Sequence, residues 1–281
     1  MHRIKRCFLP QIRICVIGIL ANTMMLQTPA TGGPIADCDQ NLNITRQIDG
    51  CTQLLAKGGL HNNQKAIALF NRANAFRHMK DDTRAIADYG AAIELNPKFA
   101  DAYYNRANLY AKRRDHFAAI DDFTEAIELK KGNFTAYNNR GVQLMMVRKF
   151  DQAISDFDRA LVLKPNYEGA MLNRGIAYDR KGLSIRAIKD FNAVLLMNPK
   201  NSSAYSNRGI ANERLGRSDR ALNDYGAAIR INPDDFLLYY MRGSAYLRMG
   251  QKPKALADYR RTLEINPDHK PSHKALNALT Q

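Results

Sequence analysis

The sequence repeats itself with a period of 34 residues. A tripeptide of Asn, Arg and a small residue returns at this step, with Met replacing Asn in the last copy, and its arginines are Arg72, Arg106, Arg140, Arg174, Arg208 and Arg242. A second motif, with Ala first and Asp-Tyr or Asp-Phe inside, keeps the same step and starts at Ala85, Ala119, Ala153, Ala187, Ala221 and Ala255. A period in this range predicts a solenoid built from one supersecondary unit.

Each unit contains the apolar spacing of two helices. When the unit is numbered from Ala100, the arginine is position 7, and apolar residues fill positions 4, 8 and 11 and then 20, 24 and 27. In the second copy these are Tyr103, Ala107, Tyr110, Ala119, Phe123 and Ala126. Both sets follow i, i+4, i+7, which is one face of a helix. A Pro near the end of most copies stops the second helix.

This pattern resembles the tetratricopeptide repeat family. The match covers residues 66–269 as six copies, at 66–99, 100–133, 134–167, 168–201, 202–235 and 236–269. The resemblance implies an all-α fold, a right-handed superhelical solenoid of helix-turn-helix repeats with a concave groove. It implies protein–protein interaction without naming a partner. The fifth copy departs from the pattern, because Asn212 replaces an aromatic residue and predicts a weaker core or an exposed site there.

The first 30 residues differ from the repeats. They contain no acid, residues 14–26 are almost wholly apolar, and the basic residues are Arg3, Lys5, Arg6 and Arg13. Small residues at Thr28 and Ala30 complete the pattern of a secretory signal peptide. We therefore predict a bacterial exported protein, periplasmic or secreted. The alternative is that residues 14–26 stay as an inner-membrane anchor, although this run is short for a transmembrane helix.

The ends of the repeat array predict caps. Residues 31–65 contain a degenerate half repeat in which Cys51 takes the place of the position-24 aromatic. Cys38 and Cys51 are thirteen residues apart, and an oxidising compartment would join them as a disulfide. Two buried free thiols are the alternative. Residues 270–281 predict a C-terminal capping helix, with Leu276 and Leu279 covering the last repeat.

The chain is strongly basic, with a net charge of +15. Removing residues 1–30 takes away four cations and no acid, which leaves +11. Such a charge is typical of chains that bind nucleic acid, an anionic surface or acidic proteins. Export argues against nucleic acid. Solvated helix faces are the alternative explanation.

No constellation of catalytic residues stands out. The sequence contains no Gly-rich phosphate loop, nucleophile elbow or zinc-spaced Cys pair. His269 and His273 have helical spacing, but Pro271 lies between them and no further ligand completes a metal site. We expect no enzyme activity, no cofactor and no bound metal.

Arg at position 7 and Asp at position 23 occur in every copy and predict structural ion pairs. Helix packing between successive repeats favours pairing across the repeat boundary, as Asp88–Arg106, Asp122–Arg140, Asp156–Arg174, Asp190–Arg208 and Asp224–Arg242. Pairing inside one repeat, such as Asp88 with Arg72, is the alternative.

Positions 2, 6, 9 and 13 of the first helix form one stripe beside its core face, and the resemblance implies that this stripe lines the groove. Position 6 supplies amides at Asn71, Asn105, Asn139, Asn173 and Asn207. This file resembles the asparagine ladder of the O-linked N-acetylglucosamine transferase repeats, which implies a grip on an extended peptide backbone. The alternative is that each Asn bonds within its own repeat. Position 13 adds a basic file, Lys112, Arg180, Arg214 and Arg248, and position 9 adds apolar Val142, Ile176 and Ile210.

These features predict a non-enzymatic scaffold in the cell envelope that binds an extended, partly acidic peptide, mostly through repeats three to five. The alternative function is an accessory or regulatory subunit of an envelope enzyme or polysaccharide-export machine.

Overall fold

The computed structural model of the protein describes residues 33–39 and 43–280. Within those residues the chain forms fifteen α-helices and no strand. They are α1 (Pro34–Asp39), α2 (Ile44–Ala56), α3 (Asn62–His78), α4 (Asp82–Leu95), α5 (Ala100–Lys112), α6 (His116–Leu129), α7 (Phe134–Met146), α8 (Phe150–Leu163), α9 (Glu168–Arg180), α10 (Ser184–Met197), α11 (Ser202–Arg214), α12 (Ser218–Ile231), α13 (Phe236–Arg248), α14 (Lys252–Ile265) and α15 (Lys270–Thr280). The predicted signal peptide lies outside the described residues.

Helices α3 to α14 form six antiparallel pairs, and we call the first member of each pair helix A and the second helix B. Each helix packs mainly on its neighbours in the chain. Successive A helices also touch, as α5 with α7, α7 with α9 and α9 with α11. The A helices therefore lie on the inner side of the array, where the path is shorter. The predicted all-α repeat solenoid is confirmed.

In every repeat an aromatic ring of helix B packs on a small residue of helix A. The position-24 aromatic residues are fully buried or nearly so: Tyr89, Phe123, Phe157, Phe191, Tyr225 and Tyr259. In the third to sixth repeats position 8 is Gly, and a Cβ added to Gly175 would lie 2.6 Å from the ring of Phe191. The first two repeats accommodate Ala at this position, at Ala73 and Ala107. The small residue thus sets how closely helix A approaches helix B.

The turn between helices A and B requires a left-handed backbone at position 15. Gly182, Gly216 and Gly250 supply it in the last three repeats, with φ of 83°, 70° and 74°. The first three repeats place Lys80, Arg114 and Arg148 in the same conformation, each with φ of 62°. Residues with a Cβ adopt this region at an energetic cost.

The recurring Arg–Asp pairs form inside each repeat, so the predicted pairing across repeats is wrong and the alternative is correct. Each arginine donates from Nε and a terminal nitrogen to one carboxylate sixteen residues later, as Arg72–Asp88, Arg106–Asp122, Arg140–Asp156, Arg174–Asp190, Arg208–Asp224 and Arg242–Asp258. The bidentate fork fits the two oxygens of a carboxylate.

The same arginines do reach the preceding repeat, but they contact position 25 there. The other terminal nitrogen bonds Thr124 from Arg140, Asp158 from Arg174 and Asn192 from Arg208. Helix A therefore touches helix B on both sides, and the length of the arginine side chain lets one residue bridge both contacts.

Asn212 is neither exposed nor part of a loosened core. It is 4% exposed and donates from Nδ2 to Asp224 at 2.9 Å. Asp224 also accepts from Arg208. The amide therefore extends the buried ion pair into the space that an aromatic ring fills elsewhere.

The amino-terminal cap is fastened by the predicted disulfide. Cys38 of α1 and Cys51 of α2 are joined, and both are fully buried. Gly50 permits this contact, because a Cβ there would lie 2.6 Å from Cβ of Asp37. Helix α3 begins at Asn62, four residues before the predicted start of the first repeat, so the connection after α2 is shorter than expected.

At the other end, α15 packs on α14 and half-buries Leu276 and Leu279. His269 sits edge-on against Phe236 and Tyr240, with ring centroids 5.2 and 4.8 Å away. His269 therefore packs between the last repeat and the C-terminal cap, while the exposed His273 bonds the carbonyl of Pro267. Among the described residues no group of three or more His, Cys, Asp and Glu side chains could hold a metal ion.

Candidate protein-binding groove

The position-6 asparagines lie side by side along the A helices and bond to the repeat before their own. Asn105 donates to Asn74 at 3.2 Å, and Asn139 donates to Asn108 at 3.1 Å. Asn173 donates to Asn138 at 3.0 Å. These bonds join each helix A to its neighbour. Asn139 also accepts from Asn138 of its own repeat at 3.1 Å, so bonding within one repeat accompanies the contact between repeats there.

The two ends of the file behave differently. Asn71 donates to Asp39 of the cap at 3.0 Å. Asn207 donates to the carbonyl of Ser203, within its own helix, at 2.8 Å. Among the described residues the position-6 amides therefore link successive A helices only through the first four repeats.

The amide network leaves hydrogen-bonding capacity at the surface of the groove. Asn105 and Asn173 are half-buried, and among the described residues their side-chain oxygens accept no hydrogen bond. Because a carboxamide offers two N–H donors and an oxygen acceptor, each can still pair with a peptide N–H. Contact with a bound peptide stays a prediction.

The basic file is mostly neutralised by acids of the preceding repeat. Lys112 pairs with Asp82 at 2.5 Å, and Arg214 pairs with Asp179 at 3.2 Å. Arg248 pairs with Glu213, which also accepts from the buried hydroxyl of Tyr225. Burial and this neighbouring carboxylate raise the pKa of Tyr225.

Arg180 is the member of the file without an ion-pair partner among the described residues. It is exposed at the end of α9. The free cationic charge of the file is therefore concentrated in the fourth repeat.

A pocket of about 490 Å³ opens at this point, where the A helices of repeats three to five meet. Its lining is Met145, Met146, Arg148, Phe150, Ile176, Arg180 and Arg214. Three guanidinium groups surround an apolar floor. Such a site can bind a carboxylate through the arginines and an aliphatic or aromatic side chain on the floor.

Of the three predicted position-9 residues, Ile176 reaches this pocket. All three pack partly against the core, Val142 beside Phe157, Ile176 beside Phe191 and Ile210 beside Tyr225. The predicted apolar stripe is therefore reduced to one anchor point.

Several contributors were not evident from the predicted stripes. Met145 lies in the last turn of α7, Arg148 in the turn after it, and Phe150 at the start of α8. The acids that neutralise Arg214 and Arg248 precede them by 35 residues, and Asn138 precedes Asn173 by the same step. A search for pairs one residue beyond the repeat period would have found these contacts between neighbouring A helices.

Family models identify the repeats. Models of the tetratricopeptide repeat match residues 100–133, 134–167 and 236–269, and a TPR repeat model matches 73–113 and 214–250. Together they cover more than half of the chain. The chain belongs to the tetratricopeptide repeat family. No curated protein matches its sequence.

Solved structures with the same repeats are similar in fold. YrrB, a TPR protein with an unusual peptide-binding site, is 24% identical over 66% of this chain and 96% of its own, with a TM-score of 0.53. MamA is 23% identical over 57% of this chain and 94% of its own, with a TM-score of 0.55. A tetratricopeptide repeat protein from Parabacteroides merdae is 19% identical over 85% of this chain and 93% of its own, with a TM-score of 0.64.

No helix among residues 33–39 and 43–280 has both the length and the apolar character of a membrane span.

Proposed function

We propose that this tetratricopeptide repeat protein is a non-enzymatic scaffold that holds an extended, partly acidic segment of another protein along its A helices. The pocket of repeats three to five carries the proposal, because it combines the unpaired Arg180 with the apolar floor at Ile176. A segment with an acidic residue next to an apolar one would satisfy both features.

The asparagine network supports an extended rather than a helical ligand. Its amides repeat at the spacing of the A helices and are held in place by bonds to the preceding helix. Side chains fixed in this way lose little conformational freedom on binding, which favours affinity. The peptide-binding site of the similar YrrB is consistent with this class of ligand.

A peptide selection tests the proposed ligand. Random peptides displayed on phage would be selected against the folded protein, and the enriched sequences measured by fluorescence anisotropy. We expect enriched peptides to carry an acidic residue beside an apolar one. Arg180→Ala should weaken their binding by about 10- to 150-fold, since a charge-assisted hydrogen bond contributes about 1.5–3 kcal/mol.

Arg159→Ala is the matched control. Arg159 is exposed on helix B of the third repeat and forms no ion pair among the described residues. Arg159→Ala therefore removes one positive charge, as Arg180→Ala does, but at a site outside the pocket. Equal weakening by both variants, or enrichment of basic peptides, would contradict the proposed site.

We further propose that the protein acts outside the cytoplasm, exported by residues 1–30. The buried Cys38–Cys51 bridge supports this location, because disulfides persist in oxidising compartments. Residues 1–30 fused to alkaline phosphatase, which is active only after export, should give an active reporter, and an inactive fusion would count against export.

A further inference from the structure

The turns between helices A and B form one edge of the solenoid, and the turns between repeats form the other. We call the first the A–B edge, residues 77–84, 111–118, 145–152, 179–186, 213–220 and 247–254. We call the second the B–A edge, residues 94–101, 128–135, 162–169, 196–203, 230–237 and 264–271. The two edges contain equal numbers of residues, so their charges can be compared directly.

Positive charge is concentrated on the A–B edge. It carries 17 Lys and Arg against 7 Asp and Glu, whereas the B–A edge carries 7 against 8. Of these 17 cations, all except Arg77 are exposed. Five of the cations have ion-pair partners on the same edge, which leaves twelve without one among the described residues.

Helix dipoles do not account for this distribution. Cations at the carboxyl ends of the A helices are favourable, but the amino-terminal turns of the B helices favour anions. Those turns nevertheless carry Lys149, Arg186, Arg217, Arg220, Lys252 and Lys254. An external anion would balance these charges.

The residues with left-handed backbone in the A–B turns also support an anion-binding role for this edge. Lys80, Arg114 and Arg148 occupy a conformation that later repeats give to Gly. Residues in strained backbone conformations cluster at functional sites. Here the strained residues are long cations on the A–B edge.

We propose that the A–B edge docks on the surface of an anionic lipid bilayer. Exposed apolar side chains outside the peptide pocket lie among its cations, with Phe117 64% exposed and Ile185 59%. Basic residues with apolar neighbours suit the headgroup region. The B–A edge also exposes apolar residues but lacks the excess of cations. Single-stranded nucleic acid is less suited, because it is held in grooves with several stacking aromatics.

Vesicle sedimentation of the full chain tests the proposal. The vesicles contain phosphatidylcholine with or without 30% phosphatidylserine. Arg217, Arg220, Lys252 and Lys254 are changed together to Gln in one variant. In the matched control, Lys130, Lys131, Lys164 and Lys200 of the B–A edge are changed to Gln. Both variants lose four charges and keep residues 1–30, so any insertion by that segment is common to both.

We expect phosphatidylserine-dependent binding that falls several hundredfold in the A–B variant, because each Lys or Arg near an anionic surface contributes roughly a factor of five. The control should fall less than about threefold, as expected for charges away from the surface. Equal losses of vesicle binding in the two variants would overturn the proposal. Vesicle binding that does not depend on phosphatidylserine would also overturn it. So would tighter binding to a single-stranded oligonucleotide that releases the protein from the vesicles.

A second variant separates binding from folding. Replacing Lys80 and Arg114 with Gly removes two cations and gives each turn the residue best suited to a positive φ. The melting temperature should be unchanged or higher, while vesicle binding falls about 25-fold. Unchanged binding by this variant would also overturn the proposal.

Discussion

Replacing Arg140 with Met tests how much one buried ion pair contributes to the solenoid. Arg140 donates to the two oxygens of Asp156 at 2.8 and 2.7 Å, and the carboxylate side chain is 7% exposed. Methionine keeps an apolar stem but leaves the buried carboxylate unpaired. We expect a loss of about 3–5 kcal/mol in the free energy of unfolding, as for other stranded buried charges.

The stability that Arg140→Met removes should depend on pH. Burial already raises the pKa of Asp156 against the opposing effect of Arg140, and removing Arg140 raises that pKa further. A carboxyl whose pKa is higher in the folded state stabilises the fold at low pH, and this contribution disappears as the pH rises through the folded pKa. The variant should therefore be closest to wild type near about pH 4 and furthest from it near about pH 7.

Native-state hydrogen exchange of α7 and α8 measures this effect locally, which suits a repeat array whose unfolding need not be two-state. Changing Arg140 to Met and Asp156 to Leu together should restore most of the loss, because no charge is then stranded. Arg159→Met, on the exposed face of α8, should stay within about 0.5 kcal/mol of wild type. A loss below about 1 kcal/mol for Arg140→Met would refute the reasoning.

Three further predictions concern packing, the cap and the groove. Gly175→Ala should lower stability by about 1–3 kcal/mol in denaturant unfolding, because its Cβ meets the ring of Phe191; Gly226→Ala, which has room, should not. Changing both Cys38 and Cys51 to Ser should destabilise the cap by about 3 kcal/mol and expose α1 to protease, while α7 to α14 keep their exchange protection; equal protease resistance would contradict this. Changing Asn139, Asn173 and Asn207, the position-6 residues of repeats three to five, together to Ala should keep the circular dichroism of the wild type and abolish binding of the selected peptides. Unchanged affinity would count against a role of these amides in binding.

The helices and their stacking could be predicted from the sequence because the apolar period records them directly. Position 8 is small wherever a ring at position 24 packs on it, so Gly175 and Phe191 identify their contact in advance. The six pairs begin and end close to the predicted residues. Helix α3 is longer than predicted because residues 62–65 precede the periodic motif and carry no signal of it.

The pairing of charges could not be decided from spacing. Asp88 lies 16 residues after Arg72 and 18 before Arg106, and helix A packs on helix B in both directions. The choice depends on side-chain orientation, which the period does not record. The ion pairs of Asp179 and Glu213 with the basic file could not be predicted for a related reason. Each pair joins residues that are 35 apart and lie on two neighbouring A helices.

A photo-reactive amino acid placed at position 176, in the intact protein in its native cell, tests the proposed groove most directly. The control position is Lys189, which is exposed on helix B of the same repeat. The account predicts a discrete adduct with a partner protein from position 176, with the crosslinked partner peptide carrying an acidic residue beside an apolar one, and none from position 189. An adduct from position 189 with none from position 176 would place the partner on the outer face and contradict the central claim.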